Sequence, residues 1–77
     1  MLKMEYTKNT LYISLKGQVN KKGVLELKRK LFHILDDYDI GDIILDIRET
    51  SYIERETFYS FLDDYDKKYG GNLDVIG

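Results

Sequence analysis

The chain has 77 residues, 43% of them hydrophobic and 34% charged, and its twelve Lys and Arg against fourteen Asp and Glu give a net charge of -2. This length allows a single domain over residues 1–77, too small for both a core and a deep catalytic cleft. The mixed charges exclude the basic face of a nucleic-acid-binding protein, and the lack of cysteine excludes disulfides and thiolate metal sites. No window approaches the roughly 18 apolar residues of a membrane span, so we expect a cytoplasmic protein.

The first elements are two short strands. Apolar and polar residues alternate over residues 2–7 and again over residues 11–16, which is the period of a half-buried strand. The polar residues 8–10 form a turn between them, and Gly17 is predicted to end the second strand. Two strands this close in sequence indicate an antiparallel hairpin.

A helix is predicted from Asn20, a suitable N-cap, to about Tyr38. Its apolar residues recur at steps of three and four, which places them on one face. They are Val24, Leu27, Leu31, Ile34, Leu35 and Tyr38, with Leu25 and Phe32 widening the stripe.

The next segment is a short apolar run at residues 42–47, rich in β-branched side chains. Such a run indicates a central parallel strand that is more buried than the hairpin. Residues 48–53 carry hydroxyl and charged groups and are predicted to form a loop.

A second helix is predicted over residues 54–69. Its inner stripe consists of Phe58, Phe61, Leu62, Tyr65 and Tyr69. Gly70 and Gly71 stop the helix, and residues 73–76 form a last strand.

The order ββαβαβ predicts a two-layer α/β domain with a mixed four-stranded sheet. Each parallel crossover should be right-handed, and both helices should cover one face of the sheet because the hairpin strands have one apolar face. The other face is expected to be open and only partly polar. It would carry Tyr12, Ser14, Lys16, Ile44 and Ile76.

Four short patterns follow one another along nearly the whole chain. They are Gly17-Gln18-Val19-Asn20 before the first helix, Ile43-Ile44-Leu45-Asp46-Ile47, Tyr52-Ile53-Glu54, and Gly70-Gly71-Asn72-Leu73 before the last strand. In order and spacing they resemble the STAS domain of anti-sigma factor antagonists. The family domain normally continues with a further strand and one or two helices, so the resemblance implies that this chain is a short version or a fragment.

The start of the second helix is the functional centre of that family. Regulated members carry Asp-Ser-Ser/Thr-Gly there, and a kinase phosphorylates the second hydroxyl. The aligned residues are Glu54-Arg55-Glu56-Thr57, which keep the acid but replace both hydroxyls and the glycine. The resemblance implies a surface that binds a kinase-like anti-sigma factor or related regulator. Its residues would be Ser51, Tyr52, Glu54, Arg55, Glu56, Thr57 and Tyr59.

We expect no phospho-acceptor on this surface; Thr57 or Ser51 would be the acceptor if one existed. Glu56 carries about one negative charge against about -1.5 to -2 for phosphoserine, so it partly mimics the phosphorylated state. A structural interpretation of the acids stays open, because the helix dipole stabilises acidic residues in a first turn. Ser51 and Glu54 also fit a capping box.

No pattern indicates catalysis, a cofactor or a metal. His33 falls on the polar face of the first helix, and no nucleophile can be paired with it. Gly70-Gly71 follows a helix and lacks the residues of a phosphate loop. A solvated acidic turn is favoured over a Ca²⁺ site for Asp36, Asp37, Asp39 and Asp42, because their spacing is not that of an EF-hand.

The last strand is predicted to lie at the edge of the sheet. It contains neither proline nor lysine, and only Asp74 interrupts its apolar residues. Such an edge invites pairing with another chain. We therefore expect that this strand either forms a homodimer or is covered by a partner. The alternative function for the chain is a structural or oligomerising module without a phosphorylation switch.

Overall fold

The computed structural model describes residues 2–77. Its elements are β1 Leu2–Thr7, β2 Thr10–Val19, α1 Lys21–Asp37, β3 Asp42–Ile53, α2 Arg55–Lys68 and β4 Asn72–Ile76. The strands form one sheet in the order β1-β2-β3-β4. β1 and β2 are antiparallel, whereas β2–β3 and β3–β4 are parallel. The predicted ββαβαβ order and mixed sheet are confirmed.

A two-residue turn closes the hairpin. Lys8 and Asn9 have φ of 49° and 63°, and Thr7 pairs with Thr10 across the turn. Left-handed backbone at both turn positions matches the right-handed twist of the strands that the turn joins, which is why asparagine suits the second position.

One core joins the sheet to both helices, so both lie on the same face as predicted. The strands contribute Leu11, Ile13, Leu15, Val19, Ile43 and Leu45, and the helices contribute Val24, Leu27, Leu31, Phe58, Phe61 and Tyr65. Ile34, Leu35, Leu62 and Tyr69 are partly buried against this core. Phe32 is also partly buried, its ring packing 5.0 Å from that of Tyr69.

Two residues assigned to the α1 stripe are exposed instead. Tyr38 follows the last helical residue and has extended backbone, with φ of -131° and ψ of 148°, so helical spacing no longer places it on the inner face. Leu25 lies next to the stripe but outside it and is 46% exposed. The buried stripe is therefore narrower than the sequence predicted.

Two predicted boundaries are wrong for a common reason. Gly17 does not end β2 but continues it with φ of 76°, between two register shifts in its pairing with β3. Residues 48–53 are not a loop, because β3 runs on to Ile53, which pairs with Val19. The irregular pairing lets the two central strands continue past the polar segment.

The uncovered face of the sheet matches its predicted composition. Tyr12, Lys16 and Ile76 are exposed, and Ser14 and Ile44 are half-buried. β4 lies at the edge of the described sheet, as predicted. Val75 pairs with the buried Leu45 yet is exposed, as is Ile76, so neither face of this end of β4 is fully covered.

Candidate protein-binding site

The start of α2 is organised by Glu54. Its carboxylate accepts hydrogen bonds from the backbone N–H of Glu56 at 3.2 Å and of Thr57 at 2.9 Å. These N–H groups have no partner within the helix, so the carboxylate acts as the N-cap. The predicted capping box with Ser51 is wrong, because Ser51 belongs to β3 and Glu54 itself is the capping residue.

Glu54 is held where β3 meets the start of α1. Its backbone N–H donates to the carbonyl oxygen of Val19 at 2.9 Å, one residue before Asn20, which caps α1 through Gly23 N–H. Hydrogen bonding from Thr57, through its hydroxyl and then its backbone N–H, lowers the pKa of Glu54, and the charge of Lys21 adds to this effect. Glu54 is therefore an ionised structural group in the folded protein at neutral pH.

A shallow concavity of about 670 Å³ lies in front of this helix start. Its lining consists of Thr50, Ser51, Tyr52, Ile53, Glu54, Arg55 and Glu56. The structure thus brings together five of the predicted site residues, whereas Thr57 and Tyr59 lie outside the lining. Thr57 is half-buried and Tyr59 projects from α2.

Two aromatic side chains of the predicted site are accessible to a partner. Tyr52 is 53% exposed and Tyr59 is 62% exposed. The Tyr59 ring lies 6.2 Å from that of the buried Phe58, which supports it from below. Exposed tyrosines that are fixed at one end are effective anchors in protein interfaces.

Thr50 and Ile53 were missed by sequence reasoning, which took their segment as a loop outside the sheet. The Thr50 hydroxyl donates to the carbonyl oxygen of Ile47 at 2.7 Å, which holds the irregular part of β3. Ile53 does stand in the Tyr52-Ile53-Glu54 pattern, whereas no local signal identifies Thr50, because its place at the concavity depends on the bulged pairing with β2.

Asp46, the acid of the third-strand pattern, is paired with a neighbour on its own strand. Its carboxylate accepts from the backbone N–H and Nε of Arg48, both at 3.0 Å, and from a terminal guanidinium nitrogen at 2.9 Å. These hydrogen bonds lower the pKa of Asp46 to about 2. The pair stiffens the segment of β3 that leads to the candidate site.

The remaining titratable residues do not converge on a site. His33 approaches Asp37 at 3.4 Å on the surface of α1, and Asp36 accepts from the Tyr69 hydroxyl at 2.7 Å. Asp42 instead accepts from the Asn72 amide at 3.2 Å. Across residues 2–77, no three His, Asp or Glu side chains gather in a way that could hold a metal ion.

Solved structures with a similar fold include those of the anti-sigma factor antagonist SpoIIAA. The unphosphorylated form of the anti-sigma factor antagonist SpoIIAA superposes with a TM-score of 0.79 and 15% sequence identity, covering 97% of this chain and 71% of that one. SpoIIAA in its phosphorylated form, described as a Bacillus cell fate determinant, superposes with a TM-score of 0.71 at 16% identity. The match covers 95% of this chain and 68% of SpoIIAA. The expected STAS resemblance is confirmed at the level of the fold.

The same fold also occurs within a longer chain. The crystal structure of Mglu matches with a TM-score of 0.76 and 13% identity, covering 96% of this chain but only 19% of Mglu. No protein-family model and no curated protein sequence matches the chain. In the described part of the chain, neither helix is long and apolar enough to cross a membrane.

Proposed function

We propose that this protein is a cytoplasmic, non-catalytic interaction module related in function to anti-sigma factor antagonists. It binds a kinase-like anti-sigma factor or a related regulator through residues 51–59. The observation that carries this proposal is the concavity at the start of α2, with Tyr52 at its lining and Tyr59 exposed nearby, on a fold shared with SpoIIAA. A partner contacts tyrosine anchors there, beside a mixed set of charges.

Glu56 and Arg55 provide the charged part of this surface. Both are exposed, whereas the Glu54 carboxylate is engaged in capping α2. Glu54 therefore shapes the surface and Glu56 presents the negative charge to the partner. Charged groups at the rim of an interface mainly determine specificity and association rate, whereas buried aromatic anchors contribute most of the affinity.

We further propose that no phosphorylation switch operates at this surface. Thr57 is half-buried and its backbone N–H donates to the Glu54 carboxylate at 2.9 Å, so a phosphate on Thr57 would be placed against a negative charge. Phosphate transfer from an anti-sigma kinase, followed by site mapping, tests this part. Phosphate on Thr57 or Ser51 would contradict it.

Affinity capture from the native host tests the binding function. Immobilised wild-type protein should recover an anti-sigma kinase or related regulator, and Tyr52→Ala and Tyr59→Ala should each reduce recovery several-fold. Tyr38→Ala is the matched control, because Tyr38 is an exposed tyrosine at the far end of α1. Equal recovery by all variants, or recovery of the protein alone, would contradict the proposed surface.

The free edge of β4 favours a second candidate function, an oligomerising module. Val75 and Ile76 are exposed on opposite faces of this strand, and the outer edge of an edge strand of this kind can pair with another strand. A second copy of β4 would satisfy the backbone groups of the edge. Sedimentation should then detect a dimer, which Ile76→Lys should disrupt and Tyr59→Ala should leave intact. A wild-type monomer at high protein concentration would exclude the oligomerising function.

A further inference from the structure

A second concave surface lies at the opposite end of the domain from the proposed partner surface. It is a groove of about 420 Å³ between the end of β1 and the end of α1. Its apolar and aromatic lining consists of Met4, Tyr6, Leu11, Ile34, Tyr38 and Ile40. This volume and this mainly apolar lining are typical of small-molecule sites. Residues 51–59 adjoin the start of α1, so about 25 Å of helix separates the two surfaces.

The wall of the groove is held by the β1–β2 turn. The Tyr6 hydroxyl donates to the side-chain oxygen of Asn9 at 3.1 Å, and the Gly41 N–H donates to the same oxygen at 3.3 Å. The Asp42 N–H donates to the Asn9 carbonyl oxygen at 3.1 Å. Asn9 thus ties Tyr6 to the segment that follows α1, so the groove is formed before any ligand enters.

Gly41 is needed for this arrangement. A Cβ atom at this position would lie 2.1 Å from the Asn9 side-chain nitrogen and 2.9 Å from its Cγ. Both atoms belong to the Asn9 side chain, so glycine at position 41 lets that side chain keep the place in which it accepts from Tyr6 and Gly41. Neither Asn9 nor Gly41 has a role in the partner surface, so the groove is organised separately from it.

The electrostatics of the groove favour a cation. Asp39 lies in the lining of the groove, and Asp36 and Asp37 occupy the last turn of α1. That turn contains no basic side chain. A helix C-terminus carries a partial negative charge of about half a unit, and no lysine or arginine within the last turn of α1 offsets it. Aromatic rings such as those of Tyr6 and Tyr38 also attract cations.

We propose that this groove binds a small organic cation with an apolar body, of the alkylammonium or arylammonium class. The apolar body lies against Met4, Leu11 and Ile34, and the ammonium group lies near Asp39 and the exposed Tyr38 ring. An organic anion is disfavoured by Asp39 and by the end of α1. A neutral ligand gains the apolar contacts but none of the electrostatic ones.

NMR titration of the full chain with hexylammonium, hexanol and hexanoate tests this proposal. Hexylammonium should shift the methyl signals of Met4, Leu11 and Ile34 and bind at least about fivefold more tightly than hexanol, with hexanoate weakest. Asp39→Asn and Tyr38→Ala should each reduce hexylammonium affinity about three- to tenfold. Both residues are exposed, so the fold tolerates these changes.

Glu56→Gln and Tyr59→Ala, at the other end of the domain, are matched controls that should leave hexylammonium affinity unchanged. Equal affinity for the three ligands, shifts centred on residues 51–59, or no shift of the groove methyl groups would each overturn the proposal. Loss of partner binding in the controls would leave it untouched, because the two surfaces share no residue.

Discussion

The Glu54 carboxylate lies 2.9 Å from the backbone nitrogen of Thr57, and this hydrogen bond caps α2 at the centre of the proposed partner surface. Glu54, which aligns with the acid of the STAS pattern, therefore has a structural role in this chain. Its neighbour Glu56 remains exposed, so on the proposed partner surface it is the acid available to a partner.

Glu54→Ala should lower the melting temperature by several degrees, because it leaves two backbone N–H groups of α2 without their side-chain acceptor. Glu56→Ala is the matched control, since it removes an acid from the same helical turn without removing the cap. Thermal unfolding followed by circular dichroism at pH 7 measures both. Equal losses in the two variants would show that the cap contributes nothing beyond the helix dipole.

Acid should destabilise the protein through Glu54 and Asp46. Their pKa values in the folded state lie below the ordinary values of 4.5 and 3.8, and that of Asp46 falls to about 2. Because these pKa values are depressed, each carboxylate stabilises the folded protein fully at a pH above its ordinary pKa. This stabilisation is lost as pH falls towards the pKa of the folded state. The urea midpoint should thus drop between about pH 4.5 and 2, and less steeply in Asp46→Asn. A parallel drop in that variant contradicts the prediction.

Leu27→Ala should cost about 2–5 kcal/mol of unfolding free energy, because it opens a cavity in the core. Leu25→Ala, two positions away on α1, should cost within about 0.5 kcal/mol. Leu27 is 0% exposed and Leu25 is 46% exposed, although both are leucines of the same amphipathic helix. Urea denaturation of the two variants measures the difference, and similar costs would mean that Leu25 is covered in solution.

Gly17→Ala should destabilise the protein by about 1–2 kcal/mol through backbone conformation alone. In the described part of the chain, no atom outside residues 16–18 lies within 4 Å of the place that an alanine Cβ would take here, so no clash is involved. Its φ of 76° is the left-handed conformation that asparagine tolerates better than alanine, so Gly17→Asn should cost less. The urea midpoint should be highest for the wild type, lower for Gly17→Asn and lowest for Gly17→Ala. A lower midpoint for Gly17→Asn than for Gly17→Ala would contradict the prediction.

Tyr69→Phe should cost about 1 kcal/mol, because the Tyr69 hydroxyl donates to Asp36 at 2.7 Å and thereby ties the end of α2 to α1. The same oxygen lies 3.2 Å from the carbonyl oxygen of Phe32. Burial and the Asp36 carboxylate raise the pKa of Tyr69 to about 12. Because this pKa is raised, Tyr69 should contribute its full stabilisation of the folded protein below its ordinary pKa of 10.0. That contribution is lost as pH rises towards the folded-state value of about 12.

Alkaline titration followed by tyrosine absorbance provides the measurement. The wild type should have a late-ionising group that Tyr69→Phe removes, whereas Tyr59→Phe should leave it in place because Tyr59 is exposed. An unchanged titration of Tyr69→Phe above pH 11 would contradict the assignment.

The order of the elements could be predicted from the sequence because the spacing of apolar residues changes at Asn20, where α1 begins. Before Asn20 they recur every two residues, as in a strand, and after it every three or four, as in a helix. The same is true of the α2 start near Glu54. Most inner-face residues of the two helices were predicted correctly, but Leu25 is exposed beside the buried stripe of α1. Tyr38 lies one residue past the end of α1, and the period alone gives no exact end.

Residues 48–53 could not be assigned from their composition. They belong to β3 because the bulged β2 strand beside them supplies backbone partners, and hydrogen bonding between strands depends on neighbours far away in the sequence. The capping role of Glu54 was obscured in the same way, since Ser51 fits the local pattern equally well.

The sequence by itself determined the α/β class, the element order, the positions of most buried side chains and the segment proposed to bind a partner, because these depend on local periodicity and on short patterns. Only the tertiary structure decided that Glu54 is the cap, that Asn9 and Gly41 form the wall of a second groove, and that β2 and β3 continue past Gly17. The groove wall and the continuation of the strands arise from contacts between distant segments, such as the Gly41–Asn9 hydrogen bond, which joins residues 32 positions apart and which no local pattern specifies.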